Sequence, residues 1–191
     1  MFDPRELAPE TIRVWSRHEY DRLVSLGMFA EERIELLRGM LVTMSPQGVA
    51  HSGITAWFAQ WLIRHLDERW DVRSHSPYAA GDDSEPEPDV SVSPATNNPT
   101  EAHPSKAVLL IEISDSSLAK DRRIKAPIYA EAGVPEYWIV DISGDQLCVE
   151  VHTDPAPSGY RRVEILRDDD VLRPTQLLRI EIAVREIPWK R

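Results

Sequence analysis

The chain has 191 residues, of which 42% are apolar and 28% are charged, a composition typical of a globular protein and not of a disordered one. A formal net charge of −10 argues against a surface that coats nucleic acid, because such binding depends on neutralising phosphates. The single cysteine, Cys148, excludes an intramolecular disulfide and a cysteine zinc cluster. With neither a signal-peptide pattern nor an apolar run of about 18 residues, the sequence predicts a cytoplasmic protein without a membrane partner. Residues 1–15 are rich in proline and charge, which predicts an arm with little structure. The length predicts a single domain, over residues 16–191.

The N-terminal part of this domain is predicted to contain two helices and three strands. Ser16 and Glu19 match a capping box, which predicts a helix that ends at Gly27. Strand-like residues on both sides of Arg38-Gly39 predict a hairpin. The hairpin strands, a long helix with an apolar stripe and a further strand are predicted over residues 33–37, 40–44, 49–68 and 70–76.

Two titratable residues in this part are candidate site residues. Glu35 lies in the first hairpin strand, where a surface residue paired with an arginine is the alternative. His51 lies in the first turn of the long helix, away from the centre of its apolar stripe. A lone histidine is more often structural or solvated than functional, so the sequence leaves both roles open.

The sequence is organised around a strand, a charged helix and a second strand between Ala107 and Asp141. Glu112 interrupts the apolar run of the first strand. Alternation places Glu112 and Ser114 on one face, and both faces are mostly apolar, which predicts a central strand covered on both sides. An ionised carboxylate there costs several kcal/mol unless a cation or hydrogen-bond donors compensate it. We therefore expect next to Glu112 either a basic residue or a divalent metal shared with another carboxylate.

The helix that follows carries a basic candidate. Asp121, Lys125 and Tyr129 recur every four residues and share one helical face, from which Lys125 can point back toward Glu112. Pro127 is unfavourable inside a helix, so either the helix kinks or a second helix starts there. The structural alternatives are an ion pair of Glu112 with a basic residue of this helix, a solvated Lys125, and an ion pair between Asp121 and Lys125.

Another carboxylate precedes the central strand. Asp89 opens a short strand over residues 89–93, after an acidic, turn-rich segment over residues 80–88. Aspartate after proline usually satisfies the amides of a turn, so the interest of Asp89 comes from Glu112 in the next strand. The other predicted elements are a polar loop, three further strands and a tail with edge strands, over residues 94–105, 136–141, 146–152, 160–166 and 168–191.

Two carboxylates at the ends of adjacent strands, together with a lysine, suit metal-assisted hydrolysis of phosphodiester bonds. Asp89 and Glu112 are expected to hold Mg²⁺, a hard ion that prefers oxygen ligands, with the Ile113 carbonyl completing the coordination. The metal would polarise a phosphoryl oxygen and lower the pKa of the attacking water. Lys125 would position that water or stabilise the charge on the pentacoordinate phosphorus.

Several short motifs follow one another in a defined order. They are Glu35 before Gly39, Met44-Ser45-Pro46, His51, Pro88-Asp89-Val90, Glu112-Ile113-Ser114, Asp121 with Lys125 and Tyr129, and the stretch from Gly133 to Asp141. This ordered series covers roughly residues 16–150 and resembles the Uma2 restriction endonuclease family, within the PD-(D/E)XK nuclease superfamily. Any single motif is weak, and the order makes the resemblance specific.

The resemblance implies an α/β fold, with a mixed central β-sheet flanked by helices, and an endonuclease that acts on DNA. It implies Mg²⁺, or Mn²⁺ in its place, bound by Asp89 and Glu112 with a contribution from Glu35. Cutting two strands needs two sites, which predicts a homodimer. The superfamily pattern has a lysine two residues after the second carboxylate, where this chain has Ser114, so Lys125 is expected to replace it.

The remaining candidate residues have less direct roles in this interpretation: His51, Ser114, Asp121 and Tyr129. A second hypothesis is a nuclease-fold protein that binds or assembles without catalysis. Ser114 and the acidic composition favour the second hypothesis, whereas the retained carboxylates and Lys125 favour the enzyme.

Overall fold

The computed structural model describes residues 9–96, 98 and 100–189. The predicted arm therefore lies partly outside the described residues, as do positions in the predicted loop and the end of the predicted tail. Within the described ranges, no helix has both the length and the apolar character to cross a membrane.

The helical elements are α1 (Arg17–Ser25), α2 (Val49–His65), α3 (Leu118–Lys120), a π-helical turn (Asp121–Lys125), α4 (Ala126–Glu131) and a 3₁₀ turn (Val184–Glu186). The strands are β1 (Ile34–Leu37), β2 (Met40–Thr43), β3 (Trp70–Ser74), β4 (Val90–Pro94), β5 (Leu109–Ser114), β6 (Glu136–Asp141), β7 (Cys148–Ala156), β8 (Gly159–Leu166), β9 (Val171–Leu172) and β10 (Ile182–Ala183).

A six-stranded mixed sheet in the order β3-β4-β5-β6-β7-β8 forms the centre of the fold. Only β5 and β6 pair in parallel, and the helical segment from α3 to α4 connects them. The other neighbours in this sheet pair antiparallel. The α/β fold with a mixed central sheet flanked by helices is confirmed.

The two faces of β5 belong to different clusters of buried side chains. Leu109, Ile111 and Ile113 join residues of α2, including Phe58. Leu110 joins residues of α4 and β6 on the opposite face. β5 is therefore the covered central strand that its apolar run predicts.

Pro127 does not end the helix. It is the second residue of α4, and the π-helical turn lies directly before it. The amide of Ala126 donates to the carbonyl of Asp121, five residues back, which widens the helix where the proline ring would otherwise clash.

Several local predictions agree with the structure, and several predicted boundaries differ from it by a few residues. The capping box of Ser16 and Glu19 is present. Gly39 has a φ of 71° in the β1–β2 turn, and a Cβ there would lie 2.5 Å from the Cβ of Val14, so no larger residue fits. β3 ends before His75, which has a φ of 49°, and β7 runs further than predicted. The tail strands β9 and β10 pair with each other and not with the central sheet.

Candidate functional site

Polar side chains from separate parts of the chain meet in a cleft of about 300 Å³ at the end of β5. Its walls come from the segment after β2, the start of α2, the segment before β4, the end of β5 and the π-helical turn. Six of the nine predicted site residues line it: His51, Asp89, Glu112, Ile113, Asp121 and Lys125. The other three lie behind it, each bonded to a lining residue: Glu35, Ser114 and Tyr129.

Lys125 lies at the centre of this arrangement. Its Nζ is 2.8 Å from Glu112 Oε1 and 3.0 Å from Glu35 Oε2, and its side chain is 2% exposed. The alternative of a solvated lysine is therefore wrong. Burial disfavours the charged form of Lys125, but the nearby carboxylates outweigh burial and raise its pKa, so the ammonium stays protonated.

Glu112 is almost fully buried on the face of β5 that α4 covers. Its Oε1 accepts hydrogen bonds from Lys125 and from the hydroxyl of Tyr129, the latter at 2.9 Å. Burial raises the pKa of Glu112 well above its usual range, Lys125 opposes the rise, and the negative charges of Asp89, Asp121 and Glu35 add to it. Both hydrogen bonds end on Oε1, which leaves Oε2 as the oxygen available to a cation.

Glu35 is fully buried in β1, so the surface alternative is wrong. Lys120 Nζ lies 2.9 Å from its Oε1, and the amide of Glu87 donates to its Oε2 at 3.3 Å. Burial alone would raise the pKa of Glu35, and the charges of Lys125 and Lys120 lower it below the usual value. Glu35 is therefore an ionised counter-charge that holds both lysines.

Asp89 lies directly before β4 and links the start of that strand to the end of β5. Its Oδ2 accepts from the amide of Ile113 at 2.8 Å and lies 3.2 Å from His51 Nε2. Its Oδ1 lies 3.3 Å from Gln47 Nε2 and 3.4 Å from His75 Nδ1. Both carboxylate oxygens are thus held in place at the floor of the cleft.

Gln47 and His75 were not among the predicted site residues. Gln47 Nε2 also lies 3.2 Å from His75 Nδ1, so the two residues support Asp89 together. Burial lowers the pKa of His75, and the charge of Asp89 partly opposes this. Gln47 lies in the segment after β2, and His75, 28 positions later, follows β3, so no periodic pattern places the two residues beside Asp89.

Asp121 is held by hydroxyl groups and does not pair with Lys125. Its Oδ2 accepts from the hydroxyls of Ser114 and Ser117. Its Oδ1 is buried and has no hydrogen-bond partner among the described residues. A buried oxygen without a partner is costly, and a cation or water in the cleft would satisfy it.

The cleft carries an excess of negative charge. Among the described side chains that line the cleft, five are carboxylates and two are lysines: Glu87, Asp89, Glu112, Asp115 and Asp121, with Lys120 and Lys125. No three histidine, cysteine, aspartate or glutamate side chains of the described ranges form a ready-made metal centre. The cleft lining instead offers carboxylate oxygens, hard donors of the kind that Mg²⁺ prefers.

The basic residues of the helical segment are largely used in ion pairs. Lys120 pairs with Glu35, and Arg122 donates from Nε to Glu150 at 2.9 Å. Arg123 is exposed. Most of the positive charge of this segment therefore neutralises carboxylates of the protein itself and does not form a basic surface.

The comparisons with known proteins agree with the predicted resemblance. The model of the Uma2 family, described as "Putative restriction endonuclease", matches residues 17–185. A solved structure of a "putative nuclease belonging to DUF820" from Anabaena variabilis has a TM-score of 0.66 and 18% identity, over 82% of this chain and 90% of that chain. At this identity the likeness shows the fold. No curated protein matches the chain. Because the family model spans most of the sequence and the fold agrees, this chain belongs to the Uma2 family.

Proposed function

We propose that this protein is a Mg²⁺-dependent DNA endonuclease that hydrolyses phosphodiester bonds in the cleft at the end of β5. The observation that carries the proposal is the buried ammonium of Lys125 between Glu112 and Glu35, beside Asp89. Buried ionic groups of this kind stabilise a fold less well than apolar packing does. Strongly perturbed titratable groups in a cleft are instead typical of functional sites.

The oxygen donors of the cleft fit a divalent cation. Asp89, Glu112 and the carbonyl of Ile113 are the residues that would hold it. The excess of carboxylates over lysines in the cleft lining supports a cation there, and so does the buried Oδ1 of Asp121, which has no hydrogen-bond partner among the described residues. When bound, the ion supplies a water of lowered pKa and polarises a phosphoryl oxygen, and Mn²⁺ accepts the same ligands.

Lys125 acts in this proposal as a fixed positive charge. Its raised pKa excludes a general base, because it keeps its proton at neutral pH. Two of its three N–H groups point at Glu112 and Glu35, so one remains to orient the attacking water or stabilise the phosphoryl charge. Ser114, at the position of the superfamily lysine, is bonded to Asp121 and supplies no charge.

Glu35 and Tyr129 are positioning residues in this proposal. Glu35 fixes the ammonium of Lys125, and Tyr129 fixes the Oε1 oxygen of Glu112. His51, with Gln47 and His75, fixes the carboxylate of Asp89.

A nuclease-fold protein that binds nucleic acid or another partner without catalysis is the second candidate. The observation that favours it is the pairing of Lys125 with two carboxylates, which consumes most of its hydrogen-bonding capacity in the fold. Metal-dependent cleavage distinguishes the two candidates.

The test is cleavage of plasmid and single-stranded DNA in Mg²⁺ and then Mn²⁺, by the wild type and by Asp89→Asn and Glu112→Gln. We expect both variants to lose at least about 100-fold in rate while circular dichroism shows an unchanged fold. Glu136→Gln is the matched control, since Glu136 is a buried strand carboxylate bonded to Trp138 outside the cleft. Its rate should stay within about threefold of the wild type.

The outcomes separate the candidates. No cleavage by the wild type, combined with Mg²⁺ binding that Glu112→Gln abolishes in calorimetry, would favour the non-catalytic protein. Cleavage that persists in both cleft variants would overturn the proposed site.

A further inference from the structure

We infer that strand β8 pairs with β8 of a second copy of this chain, antiparallel and across a two-fold axis at Val163. β8 is the last strand of the central sheet, and among the described residues it pairs only with β7, on its inner side. The backbone of an edge strand presents a row of donors and acceptors that another strand can complete. This inference does not depend on the proposed nuclease activity.

The two edges of the sheet differ in accessibility. β8 has eight residues, lacks proline, and exposes every residue from Arg161 to Ile165. Val163 is 50% exposed and Ile165 is 47% exposed, and both lie on the sheet face that carries His152 and Glu150. The opposite edge strand, β3, has five residues, most of them half-buried.

Symmetry restricts how β8 can pair with itself. Directly opposite residues of an antiparallel pair point to the same face of the sheet. A two-fold axis perpendicular to the sheet preserves the faces, so one residue must lie opposite its own copy. Arg161, Arg162 and Glu164 on the axis would each place like charges together, which is unfavourable. Within the exposed part of β8, only Val163 and Ile165 are left as residues that can lie on the two-fold axis.

The charge pattern of β8 favours Val163 over Ile165 as the residue on the two-fold axis. With Val163 on the axis, Arg162 lies opposite Glu164 of the second copy, and the two-fold axis repeats this pair. Within one chain these two side chains are exposed and 3.9 Å apart, so they already share a face. An axis at Ile165 would leave only the end of β8 in the pair. With the axis at Val163, almost the full length of β8 pairs with its copy, and Arg162 and Glu164 form two oppositely charged cross-strand pairs.

This arrangement fixes the relation between the two clefts. The β5 strands of the two copies are seven strand spacings apart, roughly 34 Å. Because the strands run antiparallel, the clefts face opposite ends of the joined sheet. Neither copy contributes a residue to the cleft of the other, so loss of the dimer should leave the rate per subunit unchanged.

The first test is a charge exchange measured by analytical ultracentrifugation of the full chain. Arg162→Glu and Glu164→Arg each place like charges opposite one another and should weaken self-association by about tenfold. The double variant restores opposite charges and should associate within about threefold of the wild type. Arg173→Glu makes the same charge change at an exposed ion pair outside β8 and should have no effect.

The second test uses cysteine substitution. Opposite Cα atoms in an antiparallel pair are about 4.5–5.5 Å apart, within disulfide range, so Val163→Cys should give a covalent dimer on mild oxidation. Ile165→Cys is the matched control, because its two copies would lie roughly 14 Å apart and should not cross-link. The native Cys148 is buried.

A wild type that stays monomeric at micromolar concentration would overturn the inference. So would self-association that both single charge variants leave unchanged, or equal cross-linking of Val163→Cys and Ile165→Cys.

Discussion

The two faces of β5 are buried to a similar degree, but they are built from opposite kinds of side chain. Toward α2, Ile111 packs in an apolar cluster with Phe58, and its burial stabilises the fold directly. Toward α4, Glu112 needs the charge of Lys125 and the hydroxyl of Tyr129 to remain buried. Ion pairs of this kind barely recover the cost of removing charges from water. The apolar face of β5 therefore stabilises the fold, whereas the polar face carries the chemistry only under the proposed function.

Substitution of Lys125 should give the largest difference between the polar and the apolar face of β5 in how Mg²⁺ affects the free energy of unfolding. Lys125→Met fills the same space but leaves Glu112 and Glu35 without their shared cation, so we expect a loss of about 3–5 kcal/mol in the free energy of unfolding. Urea unfolding at pH 8 in the presence of a chelator measures this loss. Millimolar Mg²⁺ should recover part of it, because a cation on Glu112 replaces the missing charge.

Phe58→Ala is the matched control on the apolar face. Phe58 is fully buried, and its truncation should cost a similar 3–5 kcal/mol by leaving a cavity. Mg²⁺ should recover none of this loss. Equal recovery in both variants, or recovery in neither, would contradict a charge-based role for Lys125.

Much of the apolar face follows from the sequence. The run of apolar residues around Glu112 predicted a covered central strand, and the helical period of the α2 stripe predicted the element that packs on it. Short patterns with a local cause, such as the capping box at Ser16, could also be predicted from the sequence. These features depend on residues that are close in the chain or repeat with a fixed period.

The polar face could be predicted only in part. A buried glutamate indicated a compensating cation, and the four-residue spacing pointed to Lys125. Lys125 lies in a π-helical turn, for which we recognised no sequence pattern. This turn depends on the hydrogen bond from the amide of Ala126 to the carbonyl of Asp121, five residues earlier and next to Pro127. The pairing of Glu35 with Lys120 spans 85 positions and arises only when the β1–β2 hairpin meets the helical segment.

Glu85 is another buried glutamate, and it has no lysine partner among the described residues. It is 2% exposed, its Oε2 has no hydrogen-bond partner among the described residues, and Arg17 Nη1 lies 3.7 Å from that oxygen. Burial raises the pKa of Glu85 to about 7; the charge of Asp21 adds to this rise, and the charge of Arg17 opposes it. The folded protein therefore binds this proton more tightly than the unfolded chain, and the stability that Glu85 contributes falls as pH rises from about 4.5 to 7.

Glu85→Gln should accordingly stabilise the protein by about 1–2 kcal/mol at pH 8, with the difference shrinking at pH 5. Thermal unfolding at the two pH values measures this. Glu35→Gln is the matched control with the opposite sign, because the lysines lower the pKa of Glu35 and the change should destabilise the protein at pH 8. Stabilisation by both changes would show that burial alone, without the lysines, governs both carboxylates.

The smallest expected effect comes from Tyr129, which tests whether hydrogen bonding or charge keeps Glu112 buried. Burial raises the pKa of Tyr129 well above its usual value, so its hydroxyl remains a donor over the whole accessible pH range. Tyr129→Phe removes one hydrogen bond but leaves Lys125 on the same oxygen, so urea unfolding should show a loss of about 1 kcal/mol. Tyr78→Phe, which removes a hydrogen bond to the neutral carbonyl of Ser105, should cost a similar amount. A loss as large as that of Lys125→Met would mean that the hydroxyl, and not the ammonium, compensates Glu112.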